Sequence, residues 1–324
     1  MEKPGLLRRM FAADSAAAVL ALIGVFVIFS AVNERFLTSL NIHGIIVSAA
    51  ISAITGLGMT LVIAMRALDL SVGSIMGFSA ITAAELLEAG LPLWLVIVIG
   101  LVTGCALGLL NGLLIILLRL PSFIATLATL SMILGGELLI TQGETVTIHN
   151  AVFSRIVIGT IGGYLPFAAI TTALVFAFVW VVFHRTPFGR HVAAIGGDVR
   201  AAVGAGINVN RVTVGAFVLV GLLAALSGLM YGAELQNADS TIGAGAELTA
   251  IAVVVVGGTS LTGGRGNLFG TVCAAVLLAS IKAGLNVANV SSLYEDLVFG
   301  TILIAALMLD GLRRGTRRRG MLVV

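Results

Sequence analysis

The chain has 324 residues, of which 59% are hydrophobic and only 10% are charged, whereas soluble domains carry about 25% charged residues. With a mean hydropathy of +1.15, the sequence excludes a soluble fold, because so few charged side chains cannot cover its surface. The formal net charge is +3, but the positive residues lie between apolar stretches instead of forming one patch, so a nucleic-acid partner is not expected.

Apolar stretches recur along the whole chain and predict an all-α polytopic membrane protein with about ten transmembrane helices. Glycines interrupt several stretches, as in Leu68–Gly73 and Val256–Thr259, which predicts broken or re-entrant helices that face protein or water. One transmembrane domain over 15–310 is expected, between short ends 1–14 and 311–324. The predicted segments are 15–32, 43–65, 70–88, 94–118, 122–141, 162–183, 212–235, 247–262, 267–287 and 293–310.

The distribution of Lys and Arg predicts the topology, since short cytoplasmic loops are enriched in these residues. With the N-terminus inside, 15 of the 18 fall on the cytoplasmic side, Arg35 and Arg155 fall outside, and Lys282 falls within a span. We therefore expect an even number of crossings with both termini cytoplasmic. Segments two to five and seven to ten then run in opposite senses, which permits an inverted repeat. For the first segment, a signal peptide with a cleavage site near Ala31 is the alternative.

Small residues at four-residue spacing predict helices that approach each other closely. Packing within one subunit is the default interpretation, and a contact between subunits is the alternative. The sets are Gly104, Gly108 and Gly112; Ala224, Gly228 and Gly232; and Ala275, Ala279 and Ala283.

The longest predicted cytoplasmic loop covers 184–211 and carries four arginines. Asp198 is placed to cap a short helix over Val199–Val203, which Gly204 or Gly206 can end. A small helix with an alanine face fits a groove on another protein. A positive-inside loop without a partner is the alternative.

Polar side chains within or at the ends of the spans are candidates for a solute path, because such groups are costly in hydrocarbon. Asn, Thr and Gln offer hydrogen bonds without strong charge, which lets a solute leave again. The alternative for each is an interhelical hydrogen bond or, for Glu137 and Lys282, a buried ion pair. The candidate path residues are Asn111, Phe123, Thr126, Thr129, Gln236, Asn237, Glu247 and Asn286.

The sequence carries no pattern for catalysis, metal binding or ATP hydrolysis. Gly257–Gly264 is glycine-rich, but Gly-Lys-Ser/Thr occurs nowhere, so a Walker A loop is excluded. No His-Glu-x-x-His sequence is present, and Cys105 and Cys273 lie in apolar segments without metal-ligand spacing. We expect neither an enzyme nor a metal or cofactor bound by this chain.

Four stretches, in this order along the chain, resemble the ribose/galactose/xylose-type permeases of bacterial ATP-binding-cassette importers. They are Leu68–Ser74, Leu120–Leu127, Phe188–Ile207 and Gly243–Gly266. The resemblance implies an importer permease in the bacterial inner membrane, surrounded by lipid, that moves a sugar or sugar-like solute inward. It also implies a second permease copy, identical or different, a cytoplasmic ATPase that uses the ATP, and a periplasmic solute-binding protein.

The family's cytoplasmic loop docks on the ATPase, and the resemblance gives the same role to residues of 184–211. Two departures stand out: Asp198 replaces the family's usual Asn, and Arg66-Ala67-Leu68 replaces Gly-Gly-Ile, which adds charge and bulk near a bend. The docking residues implied are Gly189, Arg190, Gly196, Gly197, Asp198, Ala201, Ala202, Gly206 and Ile207.

Two other function classes fit parts of the pattern. An ion-coupled secondary transporter of a small polar solute fits the hydropathy equally well, but it leaves the loop 184–211 without a role. A membrane scaffold or receptor explains neither the broken helices nor the polar positions within the spans.

Overall fold

The computed structural model describes residues 13–291 and, beyond them, 294, 297, 298, 300–302, 304 and 308. Over these residues the chain is built from helices joined by short connections, with strands of two residues each, which confirms the predicted all-α class. The predicted end 311–324, and most of the predicted segment 293–310 and of the end 1–14, lie outside the described residues.

The described elements follow the chain in a simple order. A 3-10 turn, Glu34–Leu37, joins the first two helices. Strand β1 (Val146–Thr147) pairs antiparallel with β4 (Asn237–Ala238), and β2 (Thr160–Ile161) pairs with β3 (Leu165–Pro166). The helices are α1 Ala13–Val32, α2 Ser39–Ala64, α3 Val72–Glu88, α4 Leu93–Leu117, α5 Ser122–Thr141, α6 Ala151–Ile158, α7 Phe167–Arg185, α8 Pro187–Gly197, α9 Val199–Gly204, α10 Val209–Leu235, α11 Ala246–Val256 and α12 Leu268–Val287.

Six of the described helices, α2, α4, α5, α7, α10 and α12, are long and apolar enough to cross a membrane. Helix α3 has 17 residues, and α11 is a shorter apolar helix, as is the stretch Ala18–Val32 of α1. The predicted count of about ten spans is therefore not confirmed over the part of the chain that the structure describes. The polytopic architecture itself is confirmed.

Two predicted segment boundaries are wrong for reasons that lie in local backbone geometry. The segment 162–183 starts later, at Phe167, because Gly162 and Gly163 adopt positive φ and close the β2–β3 hairpin before the helix. The segment 247–262 ends as a helix at Val256, because Gly258 adopts a φ of 89° and turns the chain into an irregular connection.

Helices α2 and α10 form the centre of the bundle. Helix α10 packs on α4, α3 and α2, and α2 also packs on α12 and α7. In an apolar stretch of 18 residues within α2, 83% of the stretch is buried, whereas the buried share of such a stretch is 22% in α4 and in α7. The peripheral helices expose aliphatic side chains such as Leu117, Leu139 and Leu174, as expected where lipid surrounds the protein.

The contact between α4 and α10 is made backbone to backbone, through the predicted glycine series. A Cβ atom at Gly108 would overlap the carbonyl oxygen of Phe217, and one at Gly221 would overlap that of Gly104. The close approach therefore requires glycine at these positions. For this series, the default interpretation of packing within one subunit is confirmed.

We predict that Gly108→Leu separates α4 from α10 and lowers the free energy of unfolding by about 1–3 kcal/mol, because the added side chain overpacks a closed contact. The melting temperature of the detergent-solubilised protein measures the change. Gly135→Leu in α5 is the matched control, since a Cβ there meets no atom within 4 Å. Equal melting temperatures for the two variants would show that the contact tolerates a side chain.

Candidate functional site

The predicted loop 184–211 contains two helices, α8 and α9. The carboxylate of Asp198 accepts a hydrogen bond of 3.0 Å from the backbone N–H of Ala201, so the predicted cap of α9 is confirmed. After α9, Gly206 adopts a φ of 80° and its N–H donates to the carbonyl of Val203, which ends the helix.

Helix α8 was not predicted, although its sequence carries signals for a helix. Pro187 occupies the start of α8, where its missing N–H is harmless, and Val192 and Ile195 bury one face. Gly189 lies against the backbone of Phe183 at the end of α7, and Gly196 lies against the carbonyl oxygen of Ala64 at the end of α2. These two predicted docking residues thus hold α8 to the bundle.

The outer face of α8 and α9 is exposed. Arg190, Gly197, Asp198, Ala201 and Gly206 are exposed, whereas Ala202 is buried and Ile207 is half-buried. Sequence reasoning missed two exposed apolar side chains on α9.

These side chains are Val199 and Val203, which are 46% and 59% exposed and lie one helical turn apart. Their spacing of four residues was the available signal, but α9 is too short for periodicity alone to reveal a face.

Arg66 connects three segments at the end of the protein where α8 and α9 lie. Its guanidinium Nη2 donates to the carbonyl of Gly197 over 2.9 Å, and its Nε donates to the carbonyl of Thr262. The backbone N–H of Gly264 donates to the carbonyl of Ala64 over 2.9 Å. The end of α2, the end of α8 and the connection between α11 and α12 are therefore fixed to one another.

Asn111, Thr126 and Thr129 form part of a buried hydrogen-bond network around the connection from α2 to α3. The amide of Asn111 donates to the Ser71 hydroxyl over 2.7 Å, and the Thr129 hydroxyl donates to the Asn111 amide oxygen over 2.6 Å. The Ser71 hydroxyl in turn donates to the Asp69 carboxylate over 2.7 Å. The Thr126 hydroxyl accepts from the backbone N–H of Leu70.

The other candidate path residues lie elsewhere. Phe123 is 49% exposed on α5, the Gln236 amide donates to the Ser154 hydroxyl, and Asn237 belongs to β4. Glu247 lies in the first turn of α11, and Asn286 is exposed near the end of α12. The structure brings together Asn111, Thr126 and Thr129 but not the remaining five, and the path formed by the set stays a prediction.

A cavity of about 690 Å³ lies between α2, α10, α11 and α12, and none of the eight candidate path residues lines it. Its walls carry Ser48, Ser52 and Thr55 from α2, Glu234 from α10 and Lys282 from α12. Lys282 interacts electrostatically with Glu234, whereas the Glu137 carboxylate lies against α3 at Gly77.

The segment between α10 and α11 forms the rim of this cavity. The Asp239 carboxylate accepts hydrogen bonds from the hydroxyl and the backbone N–H of Thr241. These bonds, led by the one from the hydroxyl, hold the pKa of Asp239 below its usual value. The rim therefore keeps a fixed shape and a negative charge at neutral pH.

Comparisons with known proteins agree with this architecture. The ribose import permease protein RbsC of Bacillus subtilis is 40% identical over 294 residues, covering 90% of this chain and 91% of that protein. The L-arabinose ABC transporter permease protein AraH of Azospirillum brasilense is 33% identical over 307 residues, covering 94% and 90%. The autoinducer 2 import system permease protein LsrC of Yersinia pestis is 31% identical over 294 residues, covering 91% and 84%.

No solved structure matches the chain. The family described as the permease component of the branched-chain amino acid transport system matches residues 41–307, which include both α8 and α9 and the cavity-lining helices. The chain is therefore a multi-pass membrane permease and belongs to this family.

Proposed function

We propose that this chain is the membrane-spanning subunit of an ATP-driven importer that moves a sugar or sugar-like solute inward across the bacterial inner membrane. The observation that carries the proposal is the unit formed by α8 and α9, which is fixed to the bundle on one side and exposed on the other. The names of the relatives support the solute class. They also favour this function over an ion-coupled transporter, because AraH is named as an ABC transporter permease.

The partners follow from the same proposal. A cytoplasmic ATPase supplies the energy, because the sequence lacks Gly-Lys-Ser/Thr. A second permease copy, identical or different, completes the membrane part, and a periplasmic protein delivers the solute. Both termini and the loop 184–211 face the cytoplasm, which matches the excess of Lys and Arg on that side.

The exposed face of α9 has the chemistry of a docking surface. Val199 and Val203 offer aliphatic area that is desolvated when a partner groove covers it, and the exposed Arg190 and Arg200 of the same two helices add positive charge. An apolar centre with a charged rim is the usual anatomy of a specific protein interface.

The segments fixed by Arg66 give a route from the docked ATPase to the solute. When the ATPase shifts α8, the bonds to Gly197 and Thr262 pull on the end of α2 and on the connection from α11 to α12. Helices α2, α11 and α12 are walls of the cavity. Movement at the docking surface is thereby transmitted to the place where a solute can sit.

We predict that Val199→Glu combined with Val203→Glu weakens the association with the ATPase encoded beside this gene by at least about tenfold, because two carboxylates would be buried without partners. Co-purification and binding titration of the full-length proteins measure the change. ATP-dependent uptake is expected to fall in parallel.

Tyr164→Glu is the matched control, because Tyr164 is 88% exposed in the β2–β3 hairpin, at the other end of α7 from α8. This variant is expected to bind the ATPase as the wild type does. If the double valine variant also binds normally, α9 is not the docking helix.

We further predict that Asp198→Ala weakens α9 by about 1 kcal/mol through the loss of its cap, which is a roughly fivefold change in an equilibrium constant. The affinity for the ATPase is expected to fall by a similar factor. Asp198→Asn retains a capping oxygen and is expected to behave as the wild type. Equal affinities for the alanine and asparagine variants would show that the cap does not contribute to docking.

A further inference from the structure

The cavity between α2, α10, α11 and α12 lies towards the end of the protein opposite α8 and α9. Helix α10 starts beside α9 and runs for 27 residues, so Glu234, next to its last residue, lies about 40 Å from α9. Helix α12 starts after the connection that contacts α8, and Lys282 lies near its far end. The two charged groups therefore lie at the end of the bundle opposite α8 and α9, which is the outer end under the proposed function.

The wall contributed by α2 carries an ordered polar stripe. Ser48, Ser52 and Thr55 are spaced by four and three residues, which places them on one face of α2. Thr55 lies nine residues before Ala64, the residue that contacts α8, so the stripe extends past the middle of the helix. The cavity thus follows α2 from the far end into the protein.

The two charged groups of the cavity have opposite signs and interact electrostatically. A solute with a net charge would be attracted by one of these groups and repelled by the other, which disfavours an ionic solute. A carboxylate accepts and an ammonium group donates hydrogen bonds, and a hydroxyl group of a solute can do both. The serine and threonine hydroxyls of α2 and α11 add partners of the same kind.

The volume of about 690 Å³ lies within the range of about 300–1,000 Å³ typical of small-molecule sites. The network around Asn111 offers no such space, because its amide and hydroxyl groups are buried and bonded to one another. Charged side chains inside a membrane protein usually mark a pathway for solute or ions.

Resting on the proposed function, we propose that this cavity is the site that receives the solute from the outside, and that Glu234 and Lys282 bind a neutral, polyhydroxylated solute there by hydrogen bonds. The stripe on α2 extends this site into the protein. Release towards the cytoplasm follows when α2, α11 and α12 shift with α8.

A thiol-labelling experiment tests whether the cavity holds water and opens outward. Cys105 and Cys273 are first replaced by alanine, and Ser52→Cys is then introduced into the assembled importer. A membrane-impermeant methanethiosulfonate applied from outside is expected to label Ser52→Cys at least tenfold faster than Ser131→Cys, whose position is exposed on the lipid-facing side of α5. D-ribose or L-arabinose at high concentration is expected to slow the reaction.

Tyr164→Cys shows that the reagent reaches the outer surface. If Tyr164→Cys reacts while Ser52→Cys is labelled no faster than Ser131→Cys, the cavity does not open outward and the proposal is wrong. Labelling of Ser52→Cys that no sugar slows would also overturn the assignment of a polyhydroxylated solute.

Uptake by the reconstituted importer tests the two charged residues. Glu234→Gln and Lys282→Met are each expected to lower ATP-dependent uptake of labelled D-ribose or L-arabinose at least tenfold, with unchanged affinity for the ATPase and an unchanged melting temperature. Glu144→Gln, in an exposed connection at the same end of the protein, is the matched control and is expected to transport normally.

The outcomes separate the two proposals. If the wild type neither binds the ATPase nor takes up either sugar, the proposed function fails, and the cavity assignment fails with it. If it binds the ATPase but takes up neither sugar, only the assignment of a polyhydroxylated solute fails. If the wild type transports but Glu234→Gln and Lys282→Met transport equally well, only the cavity assignment fails. A loss of uptake accompanied by a lower melting temperature would indicate that the two residues form an ion pair that stabilises the fold and do not form a solute site.

Discussion

The two hydrogen bonds of Arg66 fix the relative positions of the parts on which this permease depends. Arg66 adopts a φ of 64°, a left-handed conformation that usually costs about 1 kcal/mol or more for a residue with a side chain. From this position its guanidinium reaches the carbonyl groups of Gly197 and Thr262, which belong to segments far apart in sequence. A glycine would adopt the same backbone conformation with less strain, but it could not connect these segments.

The sequence predicts best what depends on short-range rules. The cap by Asp198 and the end of α9 near Gly206 are set by neighbouring residues, and both were predicted correctly. Helix α8 was not predicted because Gly189 and Gly196 lower the local helix propensity. Their presence is explained only by the backbones of Phe183 and Ala64, which come close to them in the folded protein.

For the candidate site, too, the role of a residue depends on contacts with segments that are distant in the sequence. The cost of polar groups in hydrocarbon drew attention to Asn111, Thr126 and Thr129 as path candidates, and in the structure these residues bond to one another and to the connection from α2 to α3. The high cost of polar groups in hydrocarbon applies equally to a polar group that stabilises a bend and to one that faces a solute, so it does not distinguish the two. The stripe of Ser48 and Ser52 was visible in the sequence, yet only the packing of α10, α11 and α12 shows that it lines a cavity.

The exposed valines of α9 also bear on how the complex is assembled in the cell. Under the proposed function, a permease that leaves the insertion machinery without its ATPase presents the exposed Val199 and Val203 to the cytoplasm, next to a membrane crowded with other proteins. An unpaired apolar surface of this kind promotes non-specific association and recognition by chaperones and proteases. In the proposed complex, the amount of stable permease is then set by the supply of its ATPase, so the permease accumulates only when the two subunits are made in balanced amounts.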